Sequence, residues 1–394
     1  MIRYVNSVVK TKRKYLSVSR PRRFGKTMAA DMLCAYYERS ADSRFLFEKT
    51  LLGKIDGWDV YLGKYDVIRI VMTDFIKKDV SVENSLKLLA QRVLDDLCEI
   101  YPEVKYDSND LAYSMNKFYH KSQIAFVIVI DEWDAVFRVR KTDKEGQTKY
   151  LDFLRDWLKD KEFIALAYMT GILPIKKYGQ HSALNMFNEY SMLNADPFAE
   201  FVGFTESEVQ KLCQEYNRDF DKCKRWYDGY QIGDLVSIYN PRSVNMYISS
   251  GIIDTYWNNT ETYEALRIYI SIDGFGIHDA ITDLLAGIPV SVDTGRFTNT
   301  MKTFKSRDDI LTLLIHLGYL SYNKQMSSVH IPNKEISKEF IKSVEDGGWP
   351  IVVRAIKNSE ELLSAVFDGD EDKVAQGIED VHMRETSILK YNDL

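Results

Sequence analysis

Residues 15–27 constrain the fold more than any other stretch of the sequence. The stretch begins with an alternating apolar segment, continues as a basic loop and leads into a segment with helical spacing of its apolar residues. The loop ends in Gly25, Lys26 and Thr27, which form the last part of the phosphate-binding motif Gly-x-x-x-x-Gly-Lys-Ser/Thr. Arg20 stands where that motif has its first glycine, so the match is incomplete. The pattern predicts a strand, a phosphate-binding loop and a helix, in that order.

The end of this loop has the chemistry that a phosphate group requires. A glycine before a helix lets backbone N–H groups approach phosphate oxygens, while Lys26 adds a positive charge and Thr27 offers a hydroxyl to Mg²⁺. Arg20, Arg22 and Arg23 add fixed positive charge, which compensates for the missing glycine. A basic turn that is solvated or faces nucleic acid is the alternative interpretation of the same residues.

Polar residues also follow the most apolar segment of the chain. Residues 124–130 are apolar at every position, which is typical of a central strand in a parallel sheet covered by helices. Asp131 and Glu132 come next, and buried carboxylates are costly unless they are paired. We therefore expect them to meet a metal ion and phosphates, with a capped turn as the alternative. Thr170 ends a further predicted strand, residues 163–170, and is a candidate for contact with the terminal phosphate, beside a purely structural role.

Composition limits the class of protein. At 394 residues the chain can form two or three domains, and its net charge of −6 gives no overall attraction to nucleic acid or to an anionic membrane. The positive charge is local, because residues 1–26 hold nine Lys or Arg and no Asp or Glu. The four cysteines lack metal-ligand spacing, and no apolar run approaches the roughly 18 residues of a membrane span. We expect a cytoplasmic protein with no membrane partner.

The basic loop and the acidic segment after residue 130 resemble motifs of the AAA-ATPase-like family of bacterial and archaeal P-loop NTPases. Residues 19–27 look like its diverged Walker A motif and residues 130–134 like its Walker B motif, and further similar segments follow in the family's order: 169–174, 203–205, 226–230, 240–243 and 331–335. The resemblance covers roughly residues 4–345 and implies an α/β fold: a P-loop NTPase parallel sheet flanked by helices, followed by a helical lid and a winged-helix-like domain.

The predicted domains are a P-loop NTPase domain at 1–200, a helical lid at 201–300, a winged-helix-like domain at 301–345 and a helical tail at 346–394. Thr205 and Glu208 are spaced as a capping box at the start of the lid. Two aromatic clusters, residues 226–230 and 239–243, are predicted to be packed turns rather than ligand contacts.

Family members often continue into a PD-(D/E)xK nuclease-like domain. The tail has no Asp followed by Glu-x-Lys on a strand pair, so we expect no nuclease activity and a chain that is either naturally short or a fragment.

The resemblance implies ATP as the ligand, with Mg²⁺. Lys26 is expected to neutralise the β- and γ-phosphates, and Glu132 to orient or deprotonate the attacking water, with Thr170 as a further catalytic candidate. Thr27 and Asp131 are expected to hold the metal ion, the aspartate through water. The acidic pair also predicts an extra strand between the loop strand and the Walker B strand. The expected nucleotide-binding loop comprises Arg20, Pro21, Arg22, Arg23, Phe24, Gly25, Lys26, Thr27 and Met28.

The expected function is Mg-dependent ATP hydrolysis that operates a nucleotide-controlled switch. The arginine that activates turnover is left open among Arg22, Arg23, Arg225 and Arg242. A second hypothesis is a nucleotide-gated protein-interaction module with little or no hydrolysis. A third and less favoured one is a nucleic-acid-binding protein that uses the basic N-terminal segment and the winged helix. The protein partner is unidentified, and assembly into a homo-oligomer is left open.

Overall fold

A computed structural model of the chain describes residues 1–175, 183–257, 262–272, 275–297, 304–346 and 349, and also 362–379 without 364 and 368. The helices are α1 (Ile2–Val8), α2 (Lys26–Tyr37), α3 (Arg44–Phe47), α4 (Met72–Phe75), α5 (Val82–Ile100), α6 (Leu111–Ser122), α7 (Ala135–Val139), α8 (Lys144–Leu158), α9 (Glu206–Glu215), α10 (Phe220–Tyr227), α11 (Pro241–Ser250), α12 (Thr262–Ile270), α13 (Ile277–Leu285), α14 (Arg307–Leu317) and α15 (Lys334–Asp346). The strands are β1 (Tyr15–Ser19), β2 (Asp66–Val71), β3 (Phe126–Asp131), β4 (Ile164–Gly171), β5 (Asn188–Tyr190), β6 (Phe204–Thr205), β7 (Tyr230–Ile232), β8 (Leu235–Tyr239), β9 (Val290–Ser291), β10 (Ser321–Asn323) and β11 (Ser328–His330).

The central sheet is parallel and has the strand order β2-β3-β4-β1-β5. Strand β4 lies between β1, which leads into the basic loop, and β3, which ends at Asp131. This order confirms the predicted α/β fold and the predicted extra strand. Because all five strands run in one direction, the loop after β1 and the acidic residues after β3 lie at the same edge of the sheet.

Burial explains the strand sequences. Every residue of β3 and of β4 is buried, as the unbroken apolar segments predict for central strands. The predicted strand at 124–130 is confirmed, but it begins two residues later and includes Asp131. The strand predicted at 163–170 is β4, shifted by one residue at each end. Helix α2 packs against β3 and β4, and α5 packs against α8.

Helices α9, α10 and α11 follow the sheet domain and form a separate small core with β8. The capping box predicted at Thr205 and Glu208 is present at the start of α9. This region also contains a short antiparallel sheet of order β6-β8-β7, which was not predicted. Its strands are only two to five residues long, so they lack a readable alternation.

The C-terminal elements have the predicted order of helix, two-stranded ribbon and helix: α14, β10, β11 and α15. Strand β9 joins the ribbon as a third strand through β11. The assignment of this unit as a winged-helix domain stays a prediction, as do the four domain boundaries. Most of the predicted tail, with its helix up to about residue 367, lies outside the described residues. Within the described part of the chain, no helix combines the length and the apolar character that crossing a bilayer demands.

The aromatic cluster at 226–230 is a packed turn, as predicted. Gly229 has a φ of 126°, and a Cβ atom placed on it would lie 1.7 Å from the carbonyl oxygen of Pro332. Tyr230 is buried, and its hydroxyl donates to the carbonyl of Gly318 at 2.8 Å. The turn thus brings the lid into close contact with the elements on either side of β10 and β11.

A buried carboxylate connects the lid to α15. Glu335 accepts hydrogen bonds from the backbone N–H groups of Tyr256 at 2.6 Å and Trp257 at 2.8 Å, and from the hydroxyl of Ser243 at 2.8 Å. Burial raises the pKa of Glu335 from its ordinary value to about 7; these hydrogen bonds oppose the rise and nearby Glu339 adds to it. One side chain therefore holds together α11, the segment after it and α15.

Substitution of Gly229 by alanine is expected to destabilise the fold by more than about 2 kcal/mol, because the new Cβ atom meets backbone that cannot move aside. Gly287 is the matched control: its φ is 78° and nothing lies within 4 Å of a Cβ placed there. Gly287→Ala should cost about 1 kcal/mol, from the left-handed backbone alone. Denaturant unfolding of both variants measures the difference, and equal losses would contradict this role of Gly229.

Glu335 should make stability depend on pH. Because the pKa of Glu335 is raised in the folded state, the folded chain binds this proton more tightly than the unfolded chain. The free energy of unfolding should therefore fall as pH rises from about 4.5 to about 7, by an amount on the order of 3 kcal/mol. Glu335→Gln should remove this part of the pH dependence. Unfolding curves of the wild type and the variant across this range provide the comparison, and parallel pH profiles would refute the assignment.

Candidate functional site

The loop after β1 ends at a helix N-terminus. Gly25 is the N-cap of α2 with a φ of 92°, and nothing lies within 4 Å of a Cβ atom placed there. Arg23 also has a positive φ, 68°. Two left-handed residues on either side of Phe24 turn the chain sharply into the helix, where the first backbone N–H groups have no partner within the helix. Such a terminus favours anions.

Lys26 lies in the first turn of α2 and is only 5% exposed. Its ammonium group donates a hydrogen bond to the carbonyl of Pro21, at 2.8 Å, within the same loop. Burial lowers the pKa of Lys26, and the carboxylates of Glu132, Asp134 and Asp131 oppose this fall. The basic loop and the acidic end of β3 are therefore close enough to interact electrostatically.

Thr27 and Asp131 are in direct contact. The hydroxyl of Thr27 donates to Asp131 Oδ2 at 2.7 Å, and the other carboxylate oxygen, Oδ1, accepts from the backbone N–H of Glu132 at 2.9 Å. Asp131 is 1% exposed, whereas Thr27 is exposed at the start of α2. The predicted convergence of the two clusters, which lie 104 positions apart in sequence, is thus present in the structure.

Glu132 has left-handed backbone, with a φ of 54°, directly after β3. This conformation is uncommon for a residue with a side chain and is found most often at functional sites. Its carboxylate forms an ion pair with the guanidinium of Arg138 on α7. The Nε atom of Arg138 lies 3.4 Å from Asp134 Oδ2. Glu132 is therefore accessible but already has a basic partner.

A cleft of about 640 Å³ opens over these residues. This volume is in the range of small-molecule sites. Within the described residues its lining includes five basic side chains and one carboxylate, so it is strongly electropositive. The lining residues come from the loop, the strand ends and the lid: Arg22, Arg23, Gly25, Lys26, Thr27, Met28, Thr73, Glu132, Arg138, Pro241, Arg242, Asn245 and Met246.

Two loop arginines are held by the lid side of the cleft. Arg23 Nη1 donates to the carbonyls of Tyr256 at 2.7 Å and Trp257 at 2.5 Å, and the carbonyl of Arg22 accepts from Asn240 Nδ2 at 3.3 Å. Burial lowers the pKa of Arg23, and the neighbouring cations Arg242 and Arg22 lower it further. An anion bound here would relieve that repulsion.

Several residues predicted for the site do not line the cleft. Arg20 is fully buried and donates to the carbonyls of Ser19, Tyr190 and Phe198, at 2.9 to 3.2 Å. Phe24 is buried against Tyr230, with ring centroids 5.1 Å apart. Their burial also argues against the alternative of a solvated basic turn.

Thr170 and Pro21 are buried beside the cleft rather than in its lining. The hydroxyl of Thr170 donates to the carbonyl of Val18 at 2.9 Å, between neighbouring strands. Pro21 packs against Gly318, where a Cβ atom would lie 2.6 Å from Pro21 Cβ. Of the candidate arginines, Arg22, Arg23 and Arg242 line the cleft, and Arg225 does not.

The structure adds residues that sequence reasoning missed. Arg138 is the most important of them, because it contacts the predicted catalytic residue Glu132. The sequence indicates its position only through the four-residue spacing between Asp134 and Arg138, which places them on the same side of a short helix. Pro241 also lines the cleft, although its aromatic cluster was predicted to be a packed turn rather than a ligand contact. Arg242 of the same cluster was already a candidate for the activating arginine. Asn240 caps the N-terminus of α11, which agrees with the predicted packed turn. The next two residues, Pro241 and Arg242, nevertheless line the cleft.

No curated protein matches this sequence. Among solved structures, the ORC2 protein of Aeropyrum pernix in ADPNP-ADP complexes aligns at 10% identity with a TM-score of 0.38, over 90% of this chain and 91% of that one. Cdc6p of Pyrobaculum aerophilum aligns at 8% identity and TM-score 0.27, over 84% and 87% of the two chains. The Aeropyrum pernix ORC1 protein in complex with DNA aligns at 12% identity and TM-score 0.28, over 87% of this chain and 88% of that one. With TM-scores this low, these likenesses carry no weight for the site.

A family model supplies the remaining comparison. The model described as "Predicted AAA-ATPase" matches residues 2–180, just under half of the chain. This range contains β1 to β4, the basic loop and the acidic end of β3. Residues 2–180 are therefore similar to the AAA-ATPase-like family.

Proposed function

We propose that the chain binds ATP with Mg²⁺ and hydrolyses it, so that it acts as a nucleotide-controlled switch. The observation that carries the proposal is that Lys26, Thr27 and Glu132 line one electropositive cleft, while the buried Asp131 accepts a hydrogen bond from Thr27. The helix N-terminus at Gly25 and the ammonium of Lys26 bind the β- and γ-phosphates. Adenine as the base rests on the family, whose description names an ATPase.

The oxygen atoms of Thr27 and Asp131 fit a magnesium ion. Mg²⁺ prefers oxygen ligands, keeps several waters and takes the rest of its ligands from substrate phosphates. The hydroxyl and the carboxylate are 2.7 Å apart, and the described residues hold no group of three or more His, Cys, Asp or Glu that would form a complete metal site. When bound, the ion would neutralise charge on the phosphates.

Glu132 is the proposed general base. Water attacks the γ-phosphorus, the bond from that phosphorus to the β,γ-bridging oxygen breaks, and Glu132 accepts the proton of the water, giving ADP and inorganic phosphate. Lys26 stabilises the charge that develops on the phosphate oxygens. Thr170 and Arg20 remain in the proposal as residues that hold β1 in place beside its neighbours, since both bond to strand or loop carbonyls.

A second function, a nucleotide-gated interaction module with little hydrolysis, is favoured by the contacts of the loop with the rest of the chain. Arg23 bonds to Tyr256 and Trp257, and Pro21 packs on Gly318. Binding of a nucleotide would act on these contacts whether or not hydrolysis followed. Release of phosphate under multiple-turnover conditions separates the two functions, since the module would bind ATP without releasing phosphate at a steady rate.

Lys26→Ala should lower the affinity for ATP with Mg²⁺ at least about tenfold, because a charge-assisted hydrogen bond contributes about 1.5–3 kcal/mol. Lys87→Ala is the control: this lysine is exposed on α5 and pairs with Glu83. Calorimetric titration of both variants with a non-hydrolysable ATP analogue measures the effect. An affinity of Lys26→Ala equal to that of the wild type would exclude the proposed phosphate site.

Glu132→Gln should not weaken nucleotide binding and should reduce turnover by a factor of about 10² or more, since an amide cannot take up the proton of the attacking water. Glu145→Gln provides the comparison, because Glu145 is an exposed residue that pairs with Lys149 on the same helix. Phosphate release at saturating ATP is the readout. Normal turnover in Glu132→Gln would rule out Glu132 as the base.

A further inference from the structure

Arg138 has two acidic partners and lines the nucleotide cleft. Its guanidinium pairs with Glu132 at one end, and its Nε atom lies 3.4 Å from Asp134 Oδ2 at the other. The side chain is 15% exposed, so it reaches the cleft from a mostly buried position. Arg138 and the proposed general base therefore line the same cleft and are in contact with each other.

Asp134 is fixed more firmly than Glu132. It is fully buried, and the oxygen that faces Arg138 also accepts from the backbone N–H groups of Ile172 at 3.2 Å and Leu173 at 2.9 Å. Glu132 is 26% exposed and lies on left-handed backbone. Of these two carboxylates beside Arg138, Glu132 lines the cleft and Asp134 does not, so the contact of Arg138 with Glu132 is the one that a ligand in the cleft can reach.

A triphosphate in the cleft competes for the exchangeable end of Arg138. A planar guanidinium binds phosphate through two parallel hydrogen bonds, and ATP carries more negative charge than the single carboxylate of Glu132. A diphosphate lacks the terminal group, so it offers Arg138 no such partner near Glu132. The ion pair and the cleft together therefore distinguish nucleotides by their terminal phosphate.

We propose that Arg138 is the residue that recognises the terminal phosphate: it pairs with Glu132 in the nucleotide-free chain and moves to the γ-phosphate when ATP binds, which leaves Glu132 free to accept a proton from water. The inference rests on the proposed function and extends it, since it assigns the preference for triphosphate over diphosphate. Glu132 is inactive in the empty and ADP-bound protein because its carboxylate is occupied.

Arg140 gives a matched control two positions away. It pairs with Asp143 at 3.2 Å and donates to the carbonyl of Lys78, and it does not line the cleft. Arg138→Ala should lower the affinity for a non-hydrolysable ATP analogue at least about tenfold and leave ADP affinity within about twofold. Arg140→Ala should change neither. Titrations of the full chain with Mg²⁺ and each nucleotide measure these ratios.

A double-mutant cycle tests the exchange itself. Glu132→Gln removes the charge that competes for Arg138, so it should raise the affinity for the ATP analogue about threefold or more, and the gain should disappear in an Arg138→Ala background. A gain of the same size in both backgrounds would overturn the proposal. So would an Arg138→Ala variant that loses ADP and ATP-analogue affinity equally, because that result marks a structural role.

The outcomes separate this inference from the proposed function. A wild-type chain that binds neither nucleotide would exclude both. A wild-type chain that binds the ATP analogue more tightly than ADP, with the same preference in Arg138→Ala, would exclude only the role of Arg138. Circular dichroism and thermal unfolding establish folding of each variant. If Arg138→Ala does not fold, Arg138→Lys decides: it keeps the charge but loses the paired hydrogen bonds, so its preference for triphosphate should fall below that of the wild type.

Discussion

The hydrogen bond from Thr27 to Asp131 ties the start of α2 to the end of β3, and the chemistry of the cleft depends on it. The two residues can meet because β1 and β3 end at the same edge of the parallel sheet, with β4 between them. Asp131 is almost completely buried, and a buried carboxylate is stable only with partners. The Thr27 hydroxyl and the N–H of Glu132 supply them, and the same two oxygens of Thr27 and Asp131 are the ones assigned to magnesium in the proposed function.

The arginines and the phenylalanine in the loop have a structural explanation. In the usual phosphate-binding loop, glycines let the backbone approach the ligand. Here Arg20 instead bonds to carbonyls of β5 and of the segment after it, and Phe24 packs against Tyr230 of the lid. These side chains join the loop to elements that lie far away in sequence. Gly25 keeps the left-handed backbone at the N-cap of α2.

Local patterns predicted the parts of the fold that depend on local chemistry. The apolar run before Asp131 predicted a central strand, because every residue in it must be buried. Gly25, Lys26 and Thr27 are consecutive in sequence, so the end of the phosphate-binding loop was also predictable. Arg138 was not, because its partners become neighbours only when the chain after β3 folds back into α7. For the same reason composition alone suggested a ligand contact for Arg20, whereas packing buries it against backbone carbonyls.

The segment after α11 forms hydrogen bonds with both the basic loop and the C-terminal unit. The peptide groups of Tyr256 and Trp257 accept hydrogen bonds from Arg23 through their carbonyls and donate to Glu335 through their N–H groups. A phosphate that draws Arg23 into the cleft would remove the bonds on one side of this segment while Glu335 still held the other. Because Arg23 already faces repulsion from Arg242 and Arg22, such an exchange is favoured by charge. Under the proposed function, nucleotide binding would release this segment from the loop, and loss of the terminal phosphate on hydrolysis would allow the bonds of Arg23 to form again.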